Sequence, residues 1–220
     1  MMTRTITRVY RAVLFDFGGV ITTSPFDAFA EYERRLGVSV GTIRSINARG
    51  SDDNAWARLE RGELDVPAFV DAFESEAHAA GVELSGEEVL ACLAGRPRPR
   101  VVEAVRRCAG RFATAIVTNN FRPAADVDPA AGAGAPFDFA GLADVVDAVV
   151  ESSVEGVRKP EPSFYRLALA RLGAEPEQAV LLDDLGVNLK PARAMGMTTI
   201  KVEDPDRALD ELASLLGIEL

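Results

Sequence analysis

Histidine and cysteine are almost missing from this chain: one histidine (His78) and two cysteines (Cys92 and Cys108) in 220 residues. Neither cysteine has a second cysteine or a histidine at ligand spacing, which argues against a zinc centre. So few thiols also exclude a disulfide-built secreted scaffold, and the reducing cytoplasm is the expected setting. Long apolar runs are absent as well. Nothing approaches a membrane span, and the opening stretch MMTRTITRVYRAVLFDFGG has no apolar segment long enough for a signal peptide. Basic residues are outnumbered, 24 against 34 acidic, for a net charge of −10. No basic stripe or arginine-rich arm runs along the chain, which argues against nucleic acid as the main partner. A small phosphorylated substrate stays compatible with this balance, because one metal ion or lysine reverses the field inside a cleft. There is no GxxxxGK[ST] stretch, which disfavours a P-loop nucleotide hydrolase.

What the chain does have is apolar content, 48% of its residues. That suits one sizeable α/β core plus a small insertion, or two small domains. The organising stretch is VYRAVLFDFGGV, from Val9 to Val20. A mostly apolar run, Ala12 to Phe15 with Val9 behind them, is read as a strand over residues 9–15 and has the pattern of a central strand of a parallel sheet. It delivers Asp16 to its C-terminal end, where open α/β sheets put their chemistry. The paired glycines Gly18 and Gly19 let the backbone turn sharply just beyond.

From residue 22 to about 95 the period is helical and the strand signal stops. Ser24-Pro25 reads as a cap and first position of a helix. Further helices are expected over 40–48, 53–61, from 65 onward, and from the Ser85…Glu88 capping box to Leu93. An all-helical block directly after the first strand is placed to close over that strand's end as a lid. GRPRPR, residues 95–100, reads as a linker back, with Arg98 and Arg100 as solvated charges rather than ligands. Strands at 112–117, 148–150, 179–182 and 198–202 then alternate with helices at 101–109, 163–172, 188–195 and 205–216. Residues 122–136, rich in Ala, Pro, Gly and Asp, read as a loop or irregular helix. The alternation predicts a doubly wound, Rossmann-like α/β core with a parallel sheet.

Four of the predicted strands lead into distinctive polar groups: Asp16, Thr118-Asn119, Lys159 and Asp183-Asp184. A parallel sheet brings them to one edge. Carboxylates with no soft ligand suit Mg²⁺. A lysine beside them suits a bound phosphate, and the set as a whole suits phosphoryl transfer, with an aspartate available as nucleophile.

Four motifs carry a resemblance: FDFGGV at Phe15 to Val20, VTNN at Val117 to Asn120, RKP at Arg158 to Pro160, and LLDDLGVNLKPARAMGM at Leu181 to Met197. In their order and spacing the chain resembles the haloacid dehalogenase-like superfamily, in the subgroup with a helical cap after the first strand. Within it the chain is most similar to the phosphatase-like domains that resemble the N-terminal domain of soluble epoxide hydrolase. The resemblance implies a core of residues 1–21 and 96–220 with a cap of 22–95, and Mg²⁺-dependent hydrolysis of a small phosphomonoester. It implies Asp16 as nucleophile and metal ligand, and Thr118 and the amide nitrogen of Asn119 on the phosphoryl group. Lys159 balances the charge, and Asp183 and Asp184 bind or orient Mg²⁺. Asn188 orients the Asp183-Asp184 loop or the cap side of the cleft.

One position departs from that pattern. The phosphatases usually carry a second aspartate two residues after the nucleophile, as general acid and then base; here it is Gly18. The carbonyl that serves as metal ligand survives, and the acid does not. Glu60 and Glu63 on the cap are candidates to fill in. A catalytically weak or inactive relative that binds a phosphorylated ligand or a partner protein is therefore one alternative. A metal-independent 2-haloacid dehalogenase is another, disfavoured by the paired Asp183-Asp184, which would repel a carboxylate substrate unless a cation sits between. On the cap, Trp56 reads as packing ahead of a substrate platform. Arg49 lies in or near the same cap loop and helix, and Arg58 and Arg61 either meet a second anionic group on the substrate or are solvated. His78 reads as surface or helix end, and the cysteines read as small apolar fillers. Monomer and homodimer are both compatible with this size.

Overall fold

The computed structural model describes residues 9–121 and 139–220, so the expected loop over 122–136 lies outside the described residues. The first strand, β1 (Ala12–Asp16), is buried along its whole length. It starts three residues later than the apolar run suggests, because Val9 is exposed. A single wide helical turn, Phe17–Ile21, follows, and its backbone leaves helical geometry at Gly18 and Gly19.

Five helices come next: α1 (Pro25–Leu36), α2 (Thr42–Ala48), α3 (Ala55–Glu60), α4 (Val66–Ala79) and α5 (Gly86–Ala91). They return to the core through α6 (Pro99–Ala109) and β2 (Ala113–Thr118). Beyond the undescribed stretch come β3 (Ala148–Glu151), the short α7 (Ser152–Glu155) and α8 (Pro162–Leu172). Then follow β4 (Ala179–Asp183), α9 (Gly186–Ala194), β5 (Thr198–Lys201) and α10 (Pro205–Leu216). The strands lie in the order β3-β2-β1-β4-β5, and every pairing is parallel. With β1 in the middle, Asp16 comes level with Val117 of β2, and Phe15 with Leu182 of β4. That register lines up the strand ends that carry the polar groups.

Strand alternation divides the core. Val13 and Phe15 face a layer closed by α6 and α10, through Val105, Cys108, Leu209 and Leu212. Ala12 and Leu14 face the opposite layer, through Phe164, Tyr165, Ala168 and Leu189 of α8 and α9. Burying the sheet on both faces explains why the inner strands β1 and β4 are apolar without interruption up to their closing aspartates. Met197 is buried in the second layer and Met195 packs against it.

The inserted helices have their own apolar core, with Phe29, Ile43, Leu59, Phe69 and Phe73 at its centre. Trp56 belongs to it: its ring meets Phe29 and Phe69 edge-on, at 6.2 and 5.6 Å between centroids. One feature here has no sequence signature. Helix α2 begins at Gly41, which has no capping side chain. The buried Glu33 of α1 supplies the cap instead, accepting from the N–H groups of Gly41 and Ile43, both at 2.7 Å. The two chain crossings between cap and core lie side by side, joined by the Thr22–Pro97 bridge. Arg98, expected to be a solvated linker charge, donates from Nε to the Thr22 carbonyl at 3.1 Å. Arg100 pairs with Asp206 at 2.7 Å across the surface. His78 is exposed at the end of α4.

Candidate active site

Asp16 ends the central strand, where the wide turn takes the chain away. Its Oδ1 accepts the N–H of Phe17 at 2.6 Å and faces the Lys159 ammonium at 2.7 Å. Lys159 is 1% exposed, and its Nζ has two further acceptors: Asp183 Oδ2 at 2.8 Å and the Val117 carbonyl at 3.2 Å. An ammonium carries three protons, so these three acceptors fix it at the junction of β1, β2 and β4. Burial alone would lower the Lys159 pKa, but the charges of Asp16 and Asp183 outweigh it and hold the group above its ordinary value.

Asp183, wholly buried at the end of β4, is oriented from the far side. The Asn188 carboxamide donates to both of its oxygens, at 3.0 and 3.1 Å, and the N–H of Leu185 to Oδ1 at 2.8 Å. Asn188 is steadied in turn by Tyr165, whose hydroxyl donates to the Asn188 main-chain carbonyl at 2.7 Å. Asp184 stands beside the glycine turn, near Ser24, the cap residue of α1. At Gly19 the backbone has φ +84°, and an added Cβ would run into the Asp184 carboxylate. Only glycine lets this turn and that carboxylate come so close.

Asp16, Asp183 and Asp184 bring one oxygen each within 4.8 Å of one another. Three ionised carboxylates against one ammonium would leave two negative charges uncompensated in a largely buried place. Burial, then the Asp183 charge, lifts Asp16 well above the usual carboxylate range in spite of Lys159. Asp184 is pushed up to about 6, by burial and then by Asp183. Hard oxygen donors with an excess of two negative charges fit a divalent cation of the Mg²⁺ type.

Thr118, 4% exposed, ends β2 beside this cluster. The Asn119 side chain is bound to the Lys159 backbone on both sides. Its Oδ1 accepts the Lys159 N–H at 2.8 Å, and its Nδ2 donates to the Lys159 carbonyl at 2.9 Å. Asn120 is tied to Glu151 at 2.6 Å and to Ser152 and Ser153 of α7. All the candidate residues, Asp16, Gly18, Thr118, Asn119, Lys159, Asp183, Asp184 and Asn188, therefore lie at one edge of the sheet.

The cap candidates divide. Glu63 is half-exposed and pairs with Arg61 at 2.6 Å; Arg61 also faces Glu161 at 3.9 Å. Glu60 points into the cap–core junction, where Arg158 Nε reaches it at 2.5 Å and Asn119 Nδ2 at 3.0 Å. The pairing of Glu60 with Arg158 carries no signal in the sequence. The two are 98 positions apart, and no local pattern links them.

A family model described as haloacid dehalogenase-like hydrolase matches residues 10–196. Mouse acyl-CoA dehydrogenase family member 10 is 36% identical over 224 residues, covering 97% of this chain and 20% of that protein. Pig bifunctional epoxide hydrolase 2 is 32% identical over 223 residues, covering 96% of this chain and 39% of its own length. The chain thus spans well under half the length of these two relatives. A sesquiterpene phosphatase of Aspergillus oryzae is 26% identical over 210 residues, covering 94% of this chain and 97% of that one. With the parallel sheet, the inserted helical region and the aspartate cluster at the end of its central strand, the chain belongs to the haloacid dehalogenase-like hydrolase family.

Proposed function

We propose that the chain hydrolyses a small phosphomonoester, with Mg²⁺ as cofactor, through an aspartyl-phosphate on Asp16. The buried charge imbalance carries this reading: three carboxylates, one ammonium and no soft ligand among them. A phosphate dianion has no favourable place beside two uncompensated negative charges unless a cation sits between them. Asp16, Asp183, Asp184 and the Gly18 carbonyl would hold the ion, with Asn188 steadying Asp183. When bound, Mg²⁺ supplies the positive charge that lets an anionic phosphoryl group approach an anionic nucleophile.

Thr118 and the main-chain N–H of Asn119 hold the phosphoryl oxygens, while the Lys159 ammonium, its three protons already placed, balances their charge from beside Asp16. An Asp16 oxygen forms a bond to phosphorus as the ester P–O bond breaks, and the leaving oxygen takes up a proton. Water then attacks the phosphorus of the acyl phosphate, which releases inorganic phosphate and restores Asp16. Gly18 has no proton to give, so water or the substrate supplies it, and turnover is slow. The core comprises residues 1–21 and 96–220 and the cap 22–95; the cap closes to exclude bulk water. The full-length similarity to a sesquiterpene phosphatase supports a phosphorylated substrate. Two free cysteines agree with a cytoplasmic setting. Among the described residues no helix is long and apolar enough to cross a membrane.

Gly18 also favours a second reading, a relative that binds a phosphorylated ligand and turns it over little or not at all. A panel of phosphomonoesters with and without Mg²⁺, using wild type and Asp16→Asn together, separates the two. Metal-dependent phosphate release that vanishes in the variant supports the phosphatase. Saturable binding without release selects the second reading. Chloride release from 2-haloacids without metal overturns both.

A further inference from the structure

Glu60 is the last residue of α3, on the cap, yet it ends a chain of hydrogen bonds that starts at the candidate nucleophile. Its side chain is 13% exposed. Three donors converge on it: Trp56 Nε1 from its own helix at 2.9 Å, Arg158 Nε at 2.5 Å and Asn119 Nδ2 at 3.0 Å. The last two belong to the core. Arg158 grips the cap a second time, through Nη1 to the Ser51 carbonyl at 3.1 Å. Close by, Gly62 lies so near the core that an added Cβ would come within 2.5 Å of the Ser153 carbonyl oxygen.

The Asn119 carboxamide has two N–H bonds and one oxygen to place. One N–H goes to the Lys159 carbonyl, the oxygen takes the Lys159 N–H, and the other N–H goes to Glu60. The two bonds to the Lys159 backbone set which way round the carboxamide sits, and Glu60 reinforces it, since a flip would also point the oxygen at a carboxylate. The Lys159 backbone is thereby clamped on both sides, and its ammonium reaches Asp16 and Asp183 from a fixed origin. Glu60 already accepts three donors through its two oxygens, and they draw it to the Asn119–Arg158 side. That is the geometry of an anchor rather than of an acid aimed at a leaving group.

We propose that Glu60 is a positioning residue: seating of the cap brings its carboxylate onto Asn119 and Arg158 and so completes the Asn119–Lys159 phosphate-binding corner. The inference rests on the phosphatase reading above. Lifting the cap takes away the acceptor for Asn119 and the partner of Arg158 together, so the corner is fully ordered only in the closed protein. Misplacing a binding group by an ångström is enough to cost a large part of its effect.

The test uses the Mg²⁺-loaded protein, with inorganic phosphate as the binding probe in calorimetry and two phosphomonoesters with unlike leaving groups in steady-state assays. Glu60→Gln keeps the size of the side chain but offers one acceptor oxygen and a pair of N–H groups to three donors. It is expected to weaken phosphate binding about tenfold and to lower kcat/KM for both esters by a similar factor. In an Asn119→Ala background the same change is expected to add less than about twofold. Trp56→Phe, which removes the donor outside the corner, is expected to leave phosphate binding within about twofold. If Glu60→Gln does not fold, Glu60→Asp, which keeps the charge but falls short of Asn119, is measured in its place with the same expectations.

Unchanged phosphate binding in the Glu60 variant overturns the inference, as do losses that differ between the two esters, which would mark Glu60 as a reader of the leaving group. Additive losses with Asn119→Ala, or a Trp56→Phe loss as large as that of Glu60→Gln, overturn it too. A wild type that neither binds phosphate nor releases it from any ester overturns the phosphatase reading and the inference with it. A working wild type with an unaffected Glu60 variant overturns the inference alone.

Discussion

Replacing Gly18 with aspartate puts an acid side chain two positions after Asp16, and the backbone is ready for it. Gly18 has φ −71° and ψ 125°, a conformation open to any L-residue. A Cβ built there meets nothing within 4 Å. The Gly18 carbonyl is untouched, so the proposed metal ligand is kept. Exchanging glycine for a residue that fits the same φ and ψ removes freedom from the unfolded chain, a gain of about 0.4–1 kcal/mol. Against this stands a fourth carboxylate near Asp16, Asp183 and Asp184, which costs stability without metal. The same like-charge neighbours raise the new group's pKa and keep a larger fraction of it protonated, which suits an acid.

If proton delivery to the leaving oxygen limits turnover, a positioned acid is worth about 10²–10⁴-fold, or about 3–5 kcal/mol of barrier. The assay is phosphate release under saturating Mg²⁺, with the aspartyl-phosphate trapped in parallel by acid quench. Gly18→Asp is expected to raise kcat and to deplete the trapped intermediate, because the same group then serves as base for water. Gly18→Asn, equal in shape but without the proton, is the control and is expected to stay near wild type. A folded, Mg²⁺-binding Gly18→Asp protein that turns over no faster than wild type refutes the reasoning. So does a Gly18→Asn protein that gains as much, since the gain would then come from filling space.

Two further predictions concern the buried charges. Lys159→Met keeps the length of the side chain but leaves Asp16 and Asp183 facing each other without their ammonium. We expect a loss of about 3–5 kcal/mol in denaturant unfolding without metal, partly restored by Mg²⁺, together with loss of phosphate release; unfolding equal to wild type counts against the charge balance described here. The second follows from Asp184, pushed up to about 6 by burial and by Asp183. A carboxylic acid whose folded-state pKa exceeds its unfolded one binds protons more readily when folded. The metal-free fold therefore gains stability as pH falls and loses it as pH rises through about 6. Between pH 7.5 and 5 the gain from this group is about 1 kcal/mol, and Asp16 shifts in the same direction. Thermal melts without metal should thus rise on mild acidification, while Mg²⁺ affinity from calorimetry falls over the same range; melts that fall with pH from 7.5 would contradict it.

The groups on the sheet were legible in the sequence because a parallel sheet turns a one-dimensional pattern into a place. An apolar run ending in Asp16, and another ending in Asp183-Asp184, need only lie side by side for their carboxylates to meet, and β1 and β4 do so. Lys159 follows no strand directly, yet its burial is intelligible: only two acidic partners and a carbonyl compensate an ammonium that is 1% exposed. The helices of the cap were legible for a local reason, since Ser24, Asp65 and Ser85 each cap the helix that follows them. The contacts between cap and core had no such local cause. Glu33 caps a helix from another helix, and Glu60 meets Arg158 only because the folded cap brings them together. A charged residue on a short amphipathic helix looks the same in sequence whether it faces water or a part-buried arginine. What distinguishes Glu60 is its surroundings: an indole N–H on one side and two core donors on the other. The general acid expected from the motif is missing at Gly18, and of the two cap carboxylates that sequence alone put forward to replace it, Glu60 accepts from Asn119 and Arg158 while Glu63 pairs with Arg61. The chain therefore has its charge-balancing and anchoring parts in place, and proton transfer is the step where a single substitution has the most room to act.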